Sequence, residues 1–460
     1  MRRFLPLYVL AVLAAVLAAA VLARWGGGLY PGGGAAVLAT PAGAAAPVPL
    51  LRLLLQMLVV IGAARLCGRG FSRLGQPAVV GEIVAGVLLG PSLLGLLWPQ
   101  ALAALFPAAE LAPLQLLSQV GVLLFMFGIG MEVDLSELRR QARAALVISH
   151  VSMALPFLLG MALALMAYPL LAPAGVPFHA FALFLGIAMS ITAFPVLARI
   201  LEERRMMHTP VGRMAIACAA IGDVSAWCLL ALVVALAHAD GPWGAARSAG
   251  LGLLFVLALQ WGVKPWLRRR FARELAPAAA LAWALLLLLA CAACTEAIGV
   301  HALFGAFLAG TAMPAGAGRR ALLRDRLSGF AAAGLLPLFF ALTGLRTQVG
   351  LLQGFQDWLL CGLIVAAAVA GKLGGTLLAA RWTGSGWREA FRLGALMNTR
   401  GLIELIVLNL GYDLGILSTR AFTMLVLMAL LTTVATGPLL QLARIGQGAA
   451  EDAAASRASG

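Results

Sequence analysis

Ser190-Ile191-Thr192-Ala193-Phe194-Pro195, in the middle of the apolar run 179–201, decides how this chain folds. A run of that length can cross a hydrocarbon core of about 30 Å, which takes about 20 residues of helix. Its centre, however, holds two hydroxyl side chains and a proline. Proline lacks a backbone N–H and crowds the preceding turn, so the helix kinks or breaks here and leaves carbonyls near Thr192 open. A second run, 389–411, carries Asn398-Thr399-Arg400-Gly401 at a similar depth. Interrupted helices in corresponding places of two halves are the sequence mark of a transporter's ion site.

The surrounding composition fixes the setting. The 460 residues are 62% hydrophobic and only 11% charged, against about half and about a quarter in a soluble domain. This excludes a soluble enzyme, a disordered chain and a small disulfide scaffold, and predicts an all-α polytopic membrane protein. The apolar runs are continuous rather than alternating, which favours helices over a barrel. The six cysteines sit inside these runs and read as small packing residues.

Thirteen runs follow residue 50, at roughly 50–67, 78–97, 113–131, 143–168, 179–201, 212–237, 249–267, 277–294, 298–315, 330–345, 356–381, 389–411 and 420–443. The net charge of +15 sits in short loops on alternate sides of them rather than on one basic face, so no nucleic-acid partner is expected. Arg69 and Arg73, Arg139 and Arg140, Arg204 and Arg205, Arg268 to Arg270, Arg319 and Arg320, Arg388 and Arg392, and Arg444 all fall on one side. By the positive-inside rule that side is the cytoplasm, which places the C-terminus inside and suits a bacterial-type inner membrane. On this orientation 179–201 and 389–411 run in opposite directions, as inverted repeats with two crossing discontinuous helices require.

Residues 4–23 form a further apolar stretch behind Arg2 and Arg3. They read as a cleaved signal peptide or an extra helix, the length favouring the helix; either puts the Gly/Ala/Pro-rich linker 24–49 outside. The division is therefore 1–49 as an N-terminal segment, 50–443 as the membrane domain, and 444–460 as a short tail without fixed structure.

Ionisable side chains inside a bilayer cost about 2.5–3.5 kcal/mol or more at the helix centre and mark function by default. Asp223 lies roughly 16 Å into its run and Lys372 roughly 13 Å from the cytoplasmic end of its own, at about 1.5 Å per residue. Lys372 is one of only two lysines in the chain. Unlike arginine, a buried lysine can give up its proton. A buried ion pair that only fixes packing is the alternative for these two. Glu82, among Gly81, Gly86 and Gly90, reads as either scaffold or function. Arg400 and Glu404, spaced i, i+4, can neutralise each other. Glu296 and His301 flank a short turn and read as structural. Cys291 and Cys294 have no second pair nearby to make a metal site.

At these residues the chain resembles the second branch of the monovalent cation:proton antiporters, the group that includes the Kef potassium-efflux proteins and the plant cation/proton exchangers. The matching stretches are Gly75 to Gly86, Leu124 to Asp134, Ser190 to Arg199, Gly222 to Trp227, His301 to Pro314, Leu336 to Phe340, and Met397 to Gly401. The resemblance implies thirteen helices, a homodimer through the early helices of each half, and a mobile core of helices four to six and eleven to thirteen. It implies Asp223 as the carrier of cation or proton, Thr192 and Ser190 as ligands in the unwound helix, and Lys372 and Arg400 as basic partners in the core. Asn398, Thr399, Glu82 and Glu404 are supporting candidates.

The family usually has Asp or Asn immediately before its essential aspartate, and here that position is Gly222. One carboxylate in place of two favours an electroneutral exchange of one cation for one proton. In two-carboxylate members the basic residue pairs with the first acid, so Lys372 is expected to pair with Asp223 when no ion is bound. The nucleotide-binding tail of the Kef proteins is not in this sequence, so ligand gating of that type is not expected.

The resulting expectation is a secondary active transporter exchanging K⁺ or Na⁺ for H⁺ by alternating access, with no cofactor. A cation channel and a transport-inactive sensor or scaffold are the competing classes. A channel needs a continuous multi-site pore, for which no repeated filter sequence exists. Nothing in the polar stretches supplies an enzyme's nucleophile, metal cluster or phosphate loop.

Overall fold

The computed structural model describes residues 50–107, 110–132, 142–207, 209–238, 242–272, 276–299, 301–314 and 317–458. The readings of 1–49 as leader and linker lie outside them. Every regular element among the described residues is helical, as the continuous apolar runs require.

Among the described residues, ten helices are long and apolar enough to cross a membrane. They match ten of the thirteen expected runs. The runs 179–201 and 389–411 are each broken into two helices. The run 298–315 is helical only over Ala302–Ala312, about 16 Å of helix, short for a crossing. His301 at its start and Met313-Pro314 at its end explain this. His301 adopts φ 48°, and Met313 is extended at φ −61°, ψ 137°, as a residue before proline tends to be.

The elements used below are α1 (Leu50–Arg73), α2 (Ala78–Leu89), α3 (Ala112–Glu132), α4 (Ala142–Leu171), α5 (Phe178–Ser190), α6 (Phe194–Glu203) and α7 (Pro210–His238). They continue with α8 (Pro242–Ala258), α9 (Lys264–Ala272), α10 (Pro277–Ile298), α11 (Ala302–Ala312), α12 (Ala317–Phe330), α13 (Leu336–Arg346), α14 (Phe355–Trp382), α15 (Trp387–Met397), α16 (Leu402–Asp413) and α17 (Thr419–Ala458). Wide π-turns at Leu259–Val263 and Ala331–Leu335 join α8 to α9 and α12 to α13. A π-turn loosens the backbone ladder, and Arg65 of α1 donates to the carbonyls of Ala332 and Ala333 there.

Packing sorts the helices into two bodies. In one, α4 packs against α5, α7 and α14, α14 against α15 and α17, and α16 against α5 and α17. In the other, α1 packs on α2, α2 on α13, α3 on α11 and α13, and α10 on α11. The first body holds both broken helices and is here called the core; the second is the scaffold. The scaffold helices approach closely through glycines, as membrane helices do where small residues let backbones meet. A Cβ on Gly310 would lie 2.1 Å from the Phe127 carbonyl oxygen, and one on Gly130 would lie 2.1 Å from that of Phe307. Because the obstacle is backbone, it cannot swing aside. Gly310→Ala is therefore expected to lower the melting temperature in detergent, the cost of such overpacking being about 1–3 kcal/mol. Gly374→Ala, whose Cβ would meet nothing within 4 Å, serves as the neutral control.

The last helix runs past the expected end of the membrane domain, through the tail, to Ala458. The tail was expected to lack fixed structure because it is small and polar. Its alanines are the strongest helix formers, and they extend α17 instead.

Candidate ion site at the two broken helices

The break in the first crossing helix covers 191–193, between the end of α5 at Ser190 and the start of α6 at Phe194. Ile191 is fully extended, φ −75°, ψ 144°. Pro195 is the second residue of α6. It therefore opens a helix, where its missing N–H would be unpaired anyway, and does not kink a continuous one. The second break falls between Met397 and Leu402. The two breaks meet. The Ala193 N–H donates to the Thr399 carbonyl at 3.1 Å, and the Thr192 hydroxyl donates to the Met397 carbonyl at 3.0 Å.

Broken helices leave orphan carbonyls at one end, orphan amides at the other, and partial charges to match. The chain's intramembrane charges sit accordingly. At the C-terminal, negative end of α5, Arg400 Nη1 donates to Ala188 O at 2.9 Å and Nη2 to Met189 O at 2.7 Å. Lys372 Nζ donates to the carbonyl of Ser190 and, from the other side, to Ser152 O of α4 at 3.2 Å. At the N-terminal, positive end of α6, the backbone amide of Phe194 reaches the Asp223 carboxylate. Asp223 is 5% exposed, and its Oδ1 has no hydrogen-bond partner among the protein atoms. Arg400 also pairs with Glu404 at 3.2 Å, both side chains fully buried, as their spacing predicted.

One expectation is refined here. Lys372 makes no contact ion pair with Asp223; its Nζ donates to the carbonyls of Ser190 and Ser152, and the two charges act on each other only through space. The orphan carbonyl at the end of α5 is a local, fixed acceptor, and it leaves the carboxylate of α7 to the amide end of α6.

The other predicted site residues divide. The Ser190 hydroxyl turns back to Ile187 O at 3.0 Å, so Ser190 serves the site through its carbonyl. Thr399 Oγ1 donates to Leu396 O, and its own carbonyl takes the Ala193 amide. Asn398 Nδ2 donates to Thr432 O of α17 at 3.2 Å, leaving Oδ1 unpartnered. Glu82 is not brought to the breaks: it is buried on α2 beside Gly68 of α1, inside the scaffold. Glu296 accepts from the Ala302 N–H at 2.7 Å and His301 Nδ1 from the Leu303 N–H at 3.3 Å, capping α11 as structural residues do.

Several contributors carried no sequence signal. Ser152 supplies a carbonyl to Lys372, and Thr433 accepts from the Arg400 N–H at 3.1 Å. His150 takes a contact from Ser225 Oγ at 3.2 Å. They are polar residues in otherwise apolar helices, a pattern that many membrane helices share. Among the described residues no group of three His, Cys, Asp or Glu could hold a metal ion. The donors at the breaks are oxygens, the ligand type that replaces the hydration shell of an alkali cation.

The family described as "Sodium/hydrogen exchanger, transmembrane" matches residues 57–442. The chain belongs to this family. Similar members include "Na(+)/H(+) antiporter NhaS4" of Synechocystis, 42% identical over 85% of this chain and 97% of that protein. "Cation/H(+) antiporter 18" of Arabidopsis thaliana is 39% identical over 84% of this chain and 48% of its own length. "K(+)/H(+) antiporter 1" of Saccharomyces cerevisiae is 33% identical over 86% of this chain and 46% of its own. The chain thus spans about half the length of these plant and yeast exchangers. Among solved structures, the sodium proton antiporter MjNhaP1 from Methanocaldococcus jannaschii matches with a TM-score of 0.58 over 85% of this chain and 98% of that one. At 15% identity that likeness speaks for the exchanger fold alone.

In this exchanger the spaces that the described residues leave between core and scaffold differ in size. Opposite the Arg-rich connections lies a cavity of about 460 Å³, between α3, the α10–α11 turn and α13 on one side and α16 on the other. Its floor includes Val122, Phe339 and Ile406. Ile406 is four residues, about 6 Å of helix, from the start of α16 at the break. Toward the Arg-rich face, Pro77, Val79, Val80 and Ile83 close against Val196, Arg400 and Gly401, leaving a void of about 10 Å³.

Proposed function

We propose that this exchanger moves one monovalent cation, Na⁺ or K⁺, against one proton by alternating access, with Asp223 as the group that carries either. The observation that bears most weight is the Asp223 carboxylate, buried at the amide end of a broken helix with one oxygen unpartnered. One carboxylate cannot hold a proton and a cation on the same oxygens at once, so the two compete. Lys372 and Arg400 neutralise the carbonyl end of α5 and keep the break in shape through both states. The names of the relatives, Na(+)/H(+) and K(+)/H(+) antiporters, support exchange and leave both cations in play. The Arg-rich loops support a plasma-membrane protein with its C-terminus in the cytoplasm. The outward leucines of α1, Leu51, Leu54 and Leu58, support a homodimer through the scaffold.

The stoichiometry rests on Gly222. A Cβ there would lie 3.2 Å from Ser149 Oγ and 3.8 Å from Met153 Sδ, so a side chain at this position needs the Ser149 hydroxyl to give by a few tenths of an ångström. The test is proton flux in reconstituted vesicles on adding Na⁺ or K⁺, with the membrane potential clamped at several values. Wild type is expected to show saturable exchange that ignores the potential, and Gly222→Asp exchange that follows it. Wild-type flux that tracks voltage overturns the one-for-one ratio. Large unsaturable currents would make the protein a channel, and no flux at any pH a scaffold.

A further inference from the structure

The wall of the cavity carries a polar clamp that the carrier chemistry does not use. Arg346, the last residue of scaffold helix α13, places Nη1 2.9 Å from Asp413 Oδ1 and 2.8 Å from Asn409 Oδ1, both on core helix α16. Its guanidinium lies 5.3 Å from the centre of the Tyr412 ring, also on α16. Asn409 returns a bond to the same scaffold helix, Nδ2 donating to Thr343 Oγ1 at 2.8 Å. Five residues of two helices are thus knitted at the rim. Asn409 and Thr343 are buried, and the Arg346 side chain is only 14% exposed. α16 begins at the second break, so what holds its far end also holds the site.

We propose that Arg346 is a positioning residue of the exchange. It fastens core helix α16 to scaffold helix α13 in the conformation open on the cavity face, and its hold on Asn409 and Asp413 is released each time the site turns to the other face. Three facts converge. The clamp joins the two bodies that the packing separates; it lines the cavity of about 460 Å³; and among the described residues Val79, Val80 and Ile83 of the scaffold face Val196, Arg400 and Gly401 of the core around a void of only about 10 Å³, an approach that would have to open when the clamp parts. A ligand favours the state it contacts best and shifts the balance by that difference alone. An intramolecular clamp works the same way, raising the share of molecules open on its own face and with it the apparent affinity for cation from that side.

This rests on the alternating-access reading above, and the experiment separates the two. Apparent KM for the cation is measured from each face in vesicles of known orientation, for wild type, Arg346→Gln, Asp413→Asn and Arg346→Lys. Arg346→Gln is expected to raise KM on the cavity face and lower it on the other, changing their ratio by about fivefold or more, the low end of usual coupling between states. Asp413→Asn, which keeps the side-chain shape and so preserves folding, is expected to shift the ratio the same way. Arg346→Lys retains the charge without the fork and is expected to recover part of it. A wild type without saturable exchange from both faces sinks the transport reading and the clamp with it. A normal wild type whose KM ratio is unmoved in both variants, even if their rates fall, leaves Arg346 a merely structural residue and overturns the clamp alone.

Discussion

Vesicles carrying Asp223→Asn are expected to show no cation-dependent proton movement above that of empty vesicles, while the protein itself stays at least as heat-resistant as wild type. Asparagine keeps the shape of the side chain, and its amide oxygen can still accept the Phe194 N–H that now faces the carboxylate. It carries no negative charge and binds no proton, so neither cargo has a holder. Stability moves the other way, because a buried carboxyl group with an unpartnered oxygen is costly to keep out of water. In wild type the same single-site competition means that lowering the pH on the cation's side raises the apparent KM for the cation without lowering the maximal rate. Exchange that survives in Asp223→Asn would move the carrier role to another oxygen, and a variant that is both inactive and unstable would leave Asp223 a packing residue.

The sequence made some of this legible and hid the rest, for definite physical reasons. Membrane crossings are read from continuous apolar length, which is why ten of the runs coincide with candidate spans among the described residues. The breaks were legible because Pro195 and Gly401 are poor continuing residues in the middle of a run. Their position was legible too: Pro195 was expected to free carbonyls near Thr192, and the chain unwinds at 191–193, with the proline in the first turn of α6. Apolar length also misled once, since 298–315 is apolar throughout yet is capped short by His301 and Met313-Pro314. The charges were legible as a set because each is expensive where it lies. Their partners were not. Lys372 and Asp223 are opposite charges near one depth, and pairing them is the simplest reading. The acceptor that wins is a backbone carbonyl, present at every residue and invisible until one knows which helix ends beside it. The same holds for Arg346: its position at the end of an apolar run gives no hint that Asn409 and Asp413 of another body lie within 3 Å.

Arg400 should prove the most damaging single position to remove, and its rescue should separate folding from transport. Its side chain is fully buried, bonded to Ala188 O, Met189 O and Glu404. Arg400→Met strips the end of α5 of two donors and leaves the buried Glu404 without its contact ion pair. Breaking one side of a buried pair costs about 3–5 kcal/mol, a large fraction of the stability of most folded proteins. The expected result is a sharp loss of folded protein in detergent, followed by melting and size-exclusion profiles. Arg400→Met with Glu404→Met removes both charges and should regain much of that loss, because apolar replacements of a buried pair are often neutral or better. The pair is not optimised for stability in any case: Arg400 Nε and Glu404 Oε2 both lack partners. The folded double variant should still fail to exchange cations, since nothing then holds the carbonyls of Ala188 and Met189 or offsets the negative end of α5 beside Lys372. Recovery of both folding and exchange would show that Arg400 and Glu404 serve packing alone, and that Lys372 by itself keeps the first break in working shape.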